Sequence, residues 1–442
     1  MNKDLSKDFY RYVLPSMVSM LLSGFYSMVD GIFVGNAAGS QALAAINLVY
    51  PIQACMNATA FGLGVGGAVL MSKHMGSEEY DQADRAMGTT LSLLTIAGLG
   101  LMGFFWLTKD SIIHLLGATG EIAQYANEYI SIIILCGIFP VLGNGVTPLI
   151  RNRGKTIEAT LFMSSGLVTN ILLDYVFVFR LRMGLAGAAI ATLASRVFCA
   201  VVVLWQLRMD RQPIVVRNYR QIRPDGKMIR RVLALGIPSG IENSMFQLGK
   251  LAIQSSVSTL GTVAIAAQAM TNILENLNGI AAIGVGIGLM TVVGQCLGAG
   301  RKDEAVYYIK KLSVLAEIIV VASCLLVFAL TIPVTKLGGM EPESARMCFH
   351  MISWITVVKP IVWTLAFIPA YGLRAAGDVK FSMITSCITM WTFRFCLCVY
   401  LIRFRGFGPM AVWLGMFTDW TVRGIVFSLR FHSRKWLKHK VV

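Results

Sequence analysis

The chain states one pattern twice, about 222 residues apart. GLGVGGAVLMSKHMGSEEYDQA begins at Gly62, and GVGIGLMTVVGQCLGAGRKDEA begins at Gly284. Within them Gly62, Gly64, Gly66, Gly76, Asp81 and Ala83 recur as Gly284, Gly286, Gly288, Gly298, Asp303 and Ala305. The same offset carries GSQALAA at Gly39 onto GTVAIAA at Gly261, and one residue more carries RNRG at Arg151 onto RAAG at Arg374. Matches that keep one offset along a chain mark a duplicated half. In a sequence this apolar, two homologous halves point to a transporter whose pathway lies between them.

Composition decides the compartment. Hydrophobic residues make up 56% and charged ones 14%, far from soluble averages. Runs such as SIIILCGIFPVLGNGVTPLI are long enough to cross about 30 Å of hydrocarbon as a helix. Twelve such spans are expected, beginning near Tyr12, Asn47, Met87, Tyr125, Ala159 and Leu185, then near Val232, Val263, Leu312, Phe349, Phe381 and Gly408. Six per half places both halves in one orientation, related by an axis along the membrane normal. The expected organisation is an N-lobe over 1–210 (spans 1–6), a cytosolic linker over 211–231, and a C-lobe over 232–442 (spans 7–12) ending in a basic cytosolic tail. The polar, Arg-rich stretch from Leu207 to Arg231, with Pro213 and Pro224, supplies that linker.

A net charge of +16 suggests nucleic acid, but the placement of the charges argues otherwise. With both termini set in the cytoplasm, 27 of the 39 Lys and Arg fall on that side and seven on the other. The remaining five (Arg196, Lys250, Lys359, Arg394 and Arg423) lie inside spans. This is the positive-inside bias of a polytopic membrane protein, so no nucleic-acid partner is expected. The charged N-terminus leads into a full-length span rather than a short h-region, and no removable signal peptide is expected. Cys396 and Cys398 lack partners at metal spacing, and the cysteines read as small hydrophobes within spans. No Walker-type phosphate loop is present, so ATP is not the internal energy source. The five histidines are scattered and there is no Asp-rich loop, which argues against a polytopic membrane transferase and against an enzyme generally. No cofactor is expected.

Ionised side chains inside spans need a reason, because each costs roughly 2.5–3.5 kcal/mol even on the lenient insertion scale. The acidic set is Asp30, Asp174, Glu242, Glu275, Glu317 and Asp419. Asn170 precedes Asp174 by one helical turn and shares its face. Carboxylates with an amide oxygen suit a hard cation such as sodium, so Asp30, Asn170 and Asp174 form the candidate metal set. Two close carboxylates could equally share a proton. Under the repeat offset Asp30, Asn170 and Asp174 map onto Ala252, Thr392 and Cys396. Whatever ion chemistry they perform therefore belongs to the N-terminal half, while the C-terminal half places Arg394 nearby. Pro15 and Pro238, near the starts of spans 1 and 7, are repeat mates that could act as hinges during alternating access. Lys250 is expected to pair with Glu242 or Glu275 of a neighbouring helix.

Several motifs carry a resemblance. The twelve-span duplication, the Pro-Ser near spans 1 and 7, DGIFVG in span 1, RNRG after span 4 and GAAIAT in span 6 resemble the multidrug and toxic compound extrusion (MATE) family over essentially the whole chain. The resemblance implies two six-helix lobes in a V, with export of small amphipathic organic compounds coupled to inward sodium or proton flow. Asp30 and Asn170-x-x-x-Asp174 resemble the N-lobe cation site of the DinF-like branch. By the same resemblance Thr192, Asn144 and Tyr129 match polar and aromatic partners near that site. In the C-half, Glu242, Lys250, Glu275 and Lys359 are candidates for the substrate cavity, and the lysines disfavour a simple organic cation. The implied setting is a bacterial cytoplasmic membrane, with the chain acting as a monomer among lipids. A lipid-linked oligosaccharide flippase of the same superfamily is the alternative.

Overall fold

The computed structural model describes residues 9–115, 120–135, 137–152, 156–209, 225–337 and 339–438. Within these, the side chains of 23–49, 51, 114–115, 120–122, 163, 179, 185 and 206–209 stand outside the description. Every regular element among the described residues is helical. After a π-helical turn at Phe9–Val13 come α1 (Leu14–Gly76), α2 (Tyr80–Leu115), α3 (Gly120–Leu135), α4 (Ile138–Asn152), α5 (Thr156–Asp174) and α6 (Gly184–Met209). The second half holds α7 (Gly226–Val257), α8 (Thr262–Gly298), α9 (Lys302–Leu337), α10 (Pro342–Ala376), α11 (Val379–Thr389), α12 (Leu397–Arg405) and α13 (Met410–His432).

Among the described residues eight helices are long and apolar enough to span a membrane, and α3 with α4 supplies a ninth crossing bent by 54°. The bend falls at Gly137, just before Pro140 in the first turn of α4, where a missing N–H is tolerated. Two more helices, α7 and α13, fall below the same hydropathy level because they carry Glu242 and Lys250, and Asp419 and Arg423, respectively. The first expected span lies in the first part of α1, whose side chains from residue 23 onward are outside the described residues. Together these give the twelve-helix, all-α polytopic architecture. Of the charged residues that dilute α7 and α13, Asp419 and Arg423 are buried in the interior of the second half.

The chain divides into two compact units, one comprising Met1–Leu21 with Met245–Val442 and the other Leu22–Ser244. In the first unit α8, α9, α10 and α13 pack together, and the turn at Phe9–Val13 lies on α8. In the second, α2 packs on α3 and α4, while α6 packs on α3, α4 and α5.

The repeated glycines explain the packing of helix starts within each unit. A Cβ on Gly284 would lie 2.5 Å from Met17 Cα, and one on Gly288 would lie 2.8 Å from Val13 Cα. In the other unit, a Cβ on Gly62 would lie 2.6 Å from Gly236 O, and one on Gly66 would lie 2.6 Å from Val232 O. Small residues let two backbones approach where apolar burial against lipid supplies no drive of its own. Glycines sharing the repeat offset therefore do the same work in both units. The prolines flank these contacts: Pro15 is buried in the first turn of α1, and Pro238 is buried inside α7.

Candidate functional site

The Leu22–Ser244 unit carries the polar set expected of the N-terminal half. Asn170 and Asp174 are 1% and 2% exposed, one turn apart on α5. Immediately after Asp174 the α-helix gives way to a π-helical segment, Tyr175–Arg180. Such widened turns recur at functional sites because they re-aim side chains and loosen the hydrogen-bond ladder. On α6, which packs against α5, Thr192 is half-buried and its carbonyl accepts the Ser195 hydroxyl at 2.7 Å. Tyr129 is buried on α3, and its hydroxyl accepts from Gln53 Nε2 at 3.4 Å. Asn144 on α4 donates from Nδ2 to Asn57 Oδ1 at 3.0 Å. Asp30 lies outside the described residues. Gln53 and Asn57, one turn apart on α1, were not anticipated; polar residues at i and i+4 in an apolar span are the signal that marks them.

Among the described residues no three His, Cys, Asp or Glu side chains converge on a metal-binding point. A buried carboxylate with an amide one turn away nonetheless has the donor chemistry of a hard, oxygen-liganded ion. Glu242, also in this unit, is half-buried on α7.

The other unit holds a denser charged cluster. Lys359 on α10 is fully buried and donates from Nζ to Glu275 Oε1 at 2.6 Å and to the Glu275 carbonyl at 3.2 Å. Trp363 and Trp420 present their rings to the same ammonium, at 5.3 and 5.9 Å. The expected pairing of Lys250 is thus corrected. Glu275 is taken by Lys359, and Lys250 makes no ion pair among the described residues. Lys250 instead lies over the Phe246 ring at 4.9 Å.

A second buried carboxylate, Asp419 on α13, is fully enclosed. It accepts from Arg423 Nη2 at 2.9 and 3.1 Å and lies 3.9 Å from Arg394 Nη1. Arg394 sits in a π-helical segment, Met390–Cys396. That segment covers the repeat positions of Asn170 to Asp174, so the half that lacks the acidic pair places a buried guanidinium there. Gln268 accepts from Trp413 Nε1 at 3.0 Å, and Asn278 Oδ1 accepts from Cys324 Sγ at 3.0 Å. Neither amide stood out in the sequence, since single amides in long spans carry no spacing signal. Glu317 is half-buried near the middle of α9.

Asp419 offers a clean stability test. Changing it to Asn leaves Arg423 buried without its carboxylate, a change that costs about 3–5 kcal/mol when one member of a buried pair is removed. A marked fall in thermal unfolding temperature in detergent is expected, and an unchanged one would show that the pair is not structural.

Comparison with known proteins fixes the family. The MatE family pattern matches the chain twice, over residues 15–176 and again over 238–400.

The chain belongs to the MatE family.

The two matches begin at Pro15 and at Pro238, the two repeat-mate prolines. MatE proteins are transport proteins, so this chain is a multi-span membrane transporter and not an enzyme. Among its relatives is the probable multidrug resistance protein NorM of Thermotoga maritima, 24% identical over 446 residues, covering 99% of this chain and 95% of the relative. A MATE crystal structure in the straight conformation matches with a TM-score of 0.89 at 23% identity, covering 98% of this chain and 96% of that one. A MOP superfamily transporter from Pyrococcus furiosus, described as having a binding pocket of reverse polarity, matches with a TM-score of 0.87 at 24% identity over 99% and 98% of the two chains. At these identities the solved structures speak for the shared fold.

Proposed function

We propose that this MatE transporter exports small amphipathic organic compounds, driven by a sodium ion or proton moving inward through the N-terminal half. The observation that carries the reading is Asp174: an acid 2% exposed within a span, one turn from Asn170 and directly followed by a π-helical segment. An acid there is costly unless it is used. Asp30, Asn170, Asp174 and Thr192 are the proposed coupling set, as in the DinF-like branch, with Asp30, Asn170 and Asp174 as ligands if the ion is sodium. Tyr129 and Asn144 are proposed as cavity residues beside it, and Glu242 as a further one. The relatives' names, multidrug resistance protein and multidrug export protein, support export of organic compounds. A cation bound at the coupling set favours the state that releases substrate outward, and the coupling is reciprocal. Pro15 and Pro238 serve as hinges. The charge bias supports a reading with both termini in the cytoplasm; the proposed setting is a bacterial inner membrane, with one chain sufficient for transport.

The test is reconstitution of the full chain in liposomes with sodium and pH gradients imposed separately and no ATP. Substrate movement should follow one of the two gradients. Movement that requires ATP hydrolysis whatever the gradients would end this reading. One observation favours the flippase alternative, namely the excess of cations in the Met245–Val442 segment. A flippase would move a lipid-linked sugar between leaflets in the same liposomes.

A further inference from the structure

The charged cluster in the Met245–Val442 segment does not balance. Its cations are Lys250, Lys359, Arg394 and Arg423, and its buried carboxylates are Glu275 and Asp419; half-buried Glu317 does not close the gap. Each carboxylate makes its close contacts with another cation, and Glu275 acts on Lys250 and Arg394 only at longer range, without a hydrogen bond. Lys359 holds Glu275 at 2.6 Å, and Arg423 holds Asp419 with two contacts at 2.9 and 3.1 Å. Arg394 reaches Asp419 only at 3.9 Å. It is 4% exposed, and its Nε has no hydrogen-bond partner among the described residues. Lys250 has no ion pair among them at all.

These two cations lie against one ring. Arg394 lies 5.1 Å from the centroid of Phe246 and Lys250 lies 4.9 Å from it. Phe246 precedes Lys250 by one turn on α7, so the ammonium leans back along the span instead of reaching out to the interface. A snorkelling lysine near a helix end does the reverse. Lys250 also keeps exposed surface, so the pair can be approached. Two like charges beside one aromatic ring repel each other and are poorly solvated within a span. They are stable together when an anion sits between them, and Arg in particular takes carboxylates, sulfonates and phosphates through two parallel hydrogen bonds.

We infer that Lys250 and Arg394, which share the Phe246 ring, receive the anionic group of an amphipathic substrate whose apolar or aromatic body packs beside that ring. This assignment rests on the export reading and narrows it: the exported compounds are organic anions, in contrast to cations. The glutamate of the Lys359 pair then serves to hold that lysine rather than to bind a cationic substrate.

The test uses the full chain in liposomes under the gradient that drives export, with three probes built on one fluorophore: dansyl-taurine (a sulfonate), dansylamide (neutral) and a dansyl quaternary ammonium. Dansyl-taurine should be moved in preference to the others. Lys250→Gln should lower its transport at least ten-fold with an unchanged unfolding temperature, because this side chain is not fully buried. Lys250→Arg should restore most of it. Competition by lysophosphatidylglycerol would assign the anion to a lipid headgroup, and competition by naphthalene sulfonate alone would assign it to a free solute. Preference for the ammonium probe, or equal transport by wild type and Lys250→Gln, would overturn the inference while leaving export intact. Gradient-independent behaviour of all three probes would overturn both.

Discussion

Asp174→Asn should abolish gradient-coupled export while leaving the protein inserted and folded. The amide keeps the size of the acid but cannot neutralise a bound cation or carry a proton. One charge moving inward across 100 mV releases about 2.3 kcal/mol, enough for roughly a fifty-fold gradient of a neutral substrate. The variant should lose that accumulation and equilibrate its substrate at best. Folding should survive, because neutralising a buried acid lowers its desolvation cost. Asp30→Asn should behave alike, and the double variant should be no worse than either single one, since groups that act as a unit are not additive. Changing Glu317 to Gln should do little by comparison. Export by Asp174→Asn at the normal gradient-dependent rate would remove the coupling set from the N-terminal half and turn attention to Glu242 or Glu275.

The second large effect is structural. Gly284→Val and Gly62→Val should each destroy the fold of their unit, because a side chain at either place meets backbone and not a movable side chain. The first new carbon would sit 2.5 Å from Met17 Cα in one unit and 2.6 Å from Gly236 O in the other. Overpacking costs about 1–3 kcal/mol where side chains can shift, and more is expected where two helix backbones must separate. Even Gly284→Ala should lower the unfolding temperature clearly. Gly103→Ala is the control, since a carbon there meets nothing within 4 Å and replaces a helix-weakening residue. Monodisperse protein from both valine variants with wild-type unfolding temperatures would refute the close-approach account.

The architecture was largely legible because it rests on periodic and repeated signals. Apolar runs located the spans, the glycine offset revealed the duplication, and DGIFVG, RNRG and GAAIAT carried the family. Asn170 and Asp174 were legible because their spacing is local to one helix. Pairings between distant helices were not. Glu275 could have met Lys250 or Lys359, and only the packing of α8 on α10 selects Lys359; no spacing rule connects residues so far apart. The loose hold of Asp419 on Arg394, compared with its tight hold on Arg423, has the same origin. Gln53 and Asn57 were missed for a different reason: they carry no charge, and the costly groups sought within spans were ionisable side chains. The π-helical segments leave no pattern in residue type at all.

The allocation of helix starts has a bearing on synthesis. The first helical residues, up to Leu21, cluster with the second half of the chain, and the residues up to Ser244 cluster with the first. Such reciprocal exchange has the form of a domain swap, here between the two repeats of one chain. Val13 and Met17 cannot reach their glycine partners, Gly288 and Gly284, until the eighth span has been made. The Val13–Met17 contact is therefore among the last to close, and a chain released after the sixth span would leave these residues without the surface they pack on.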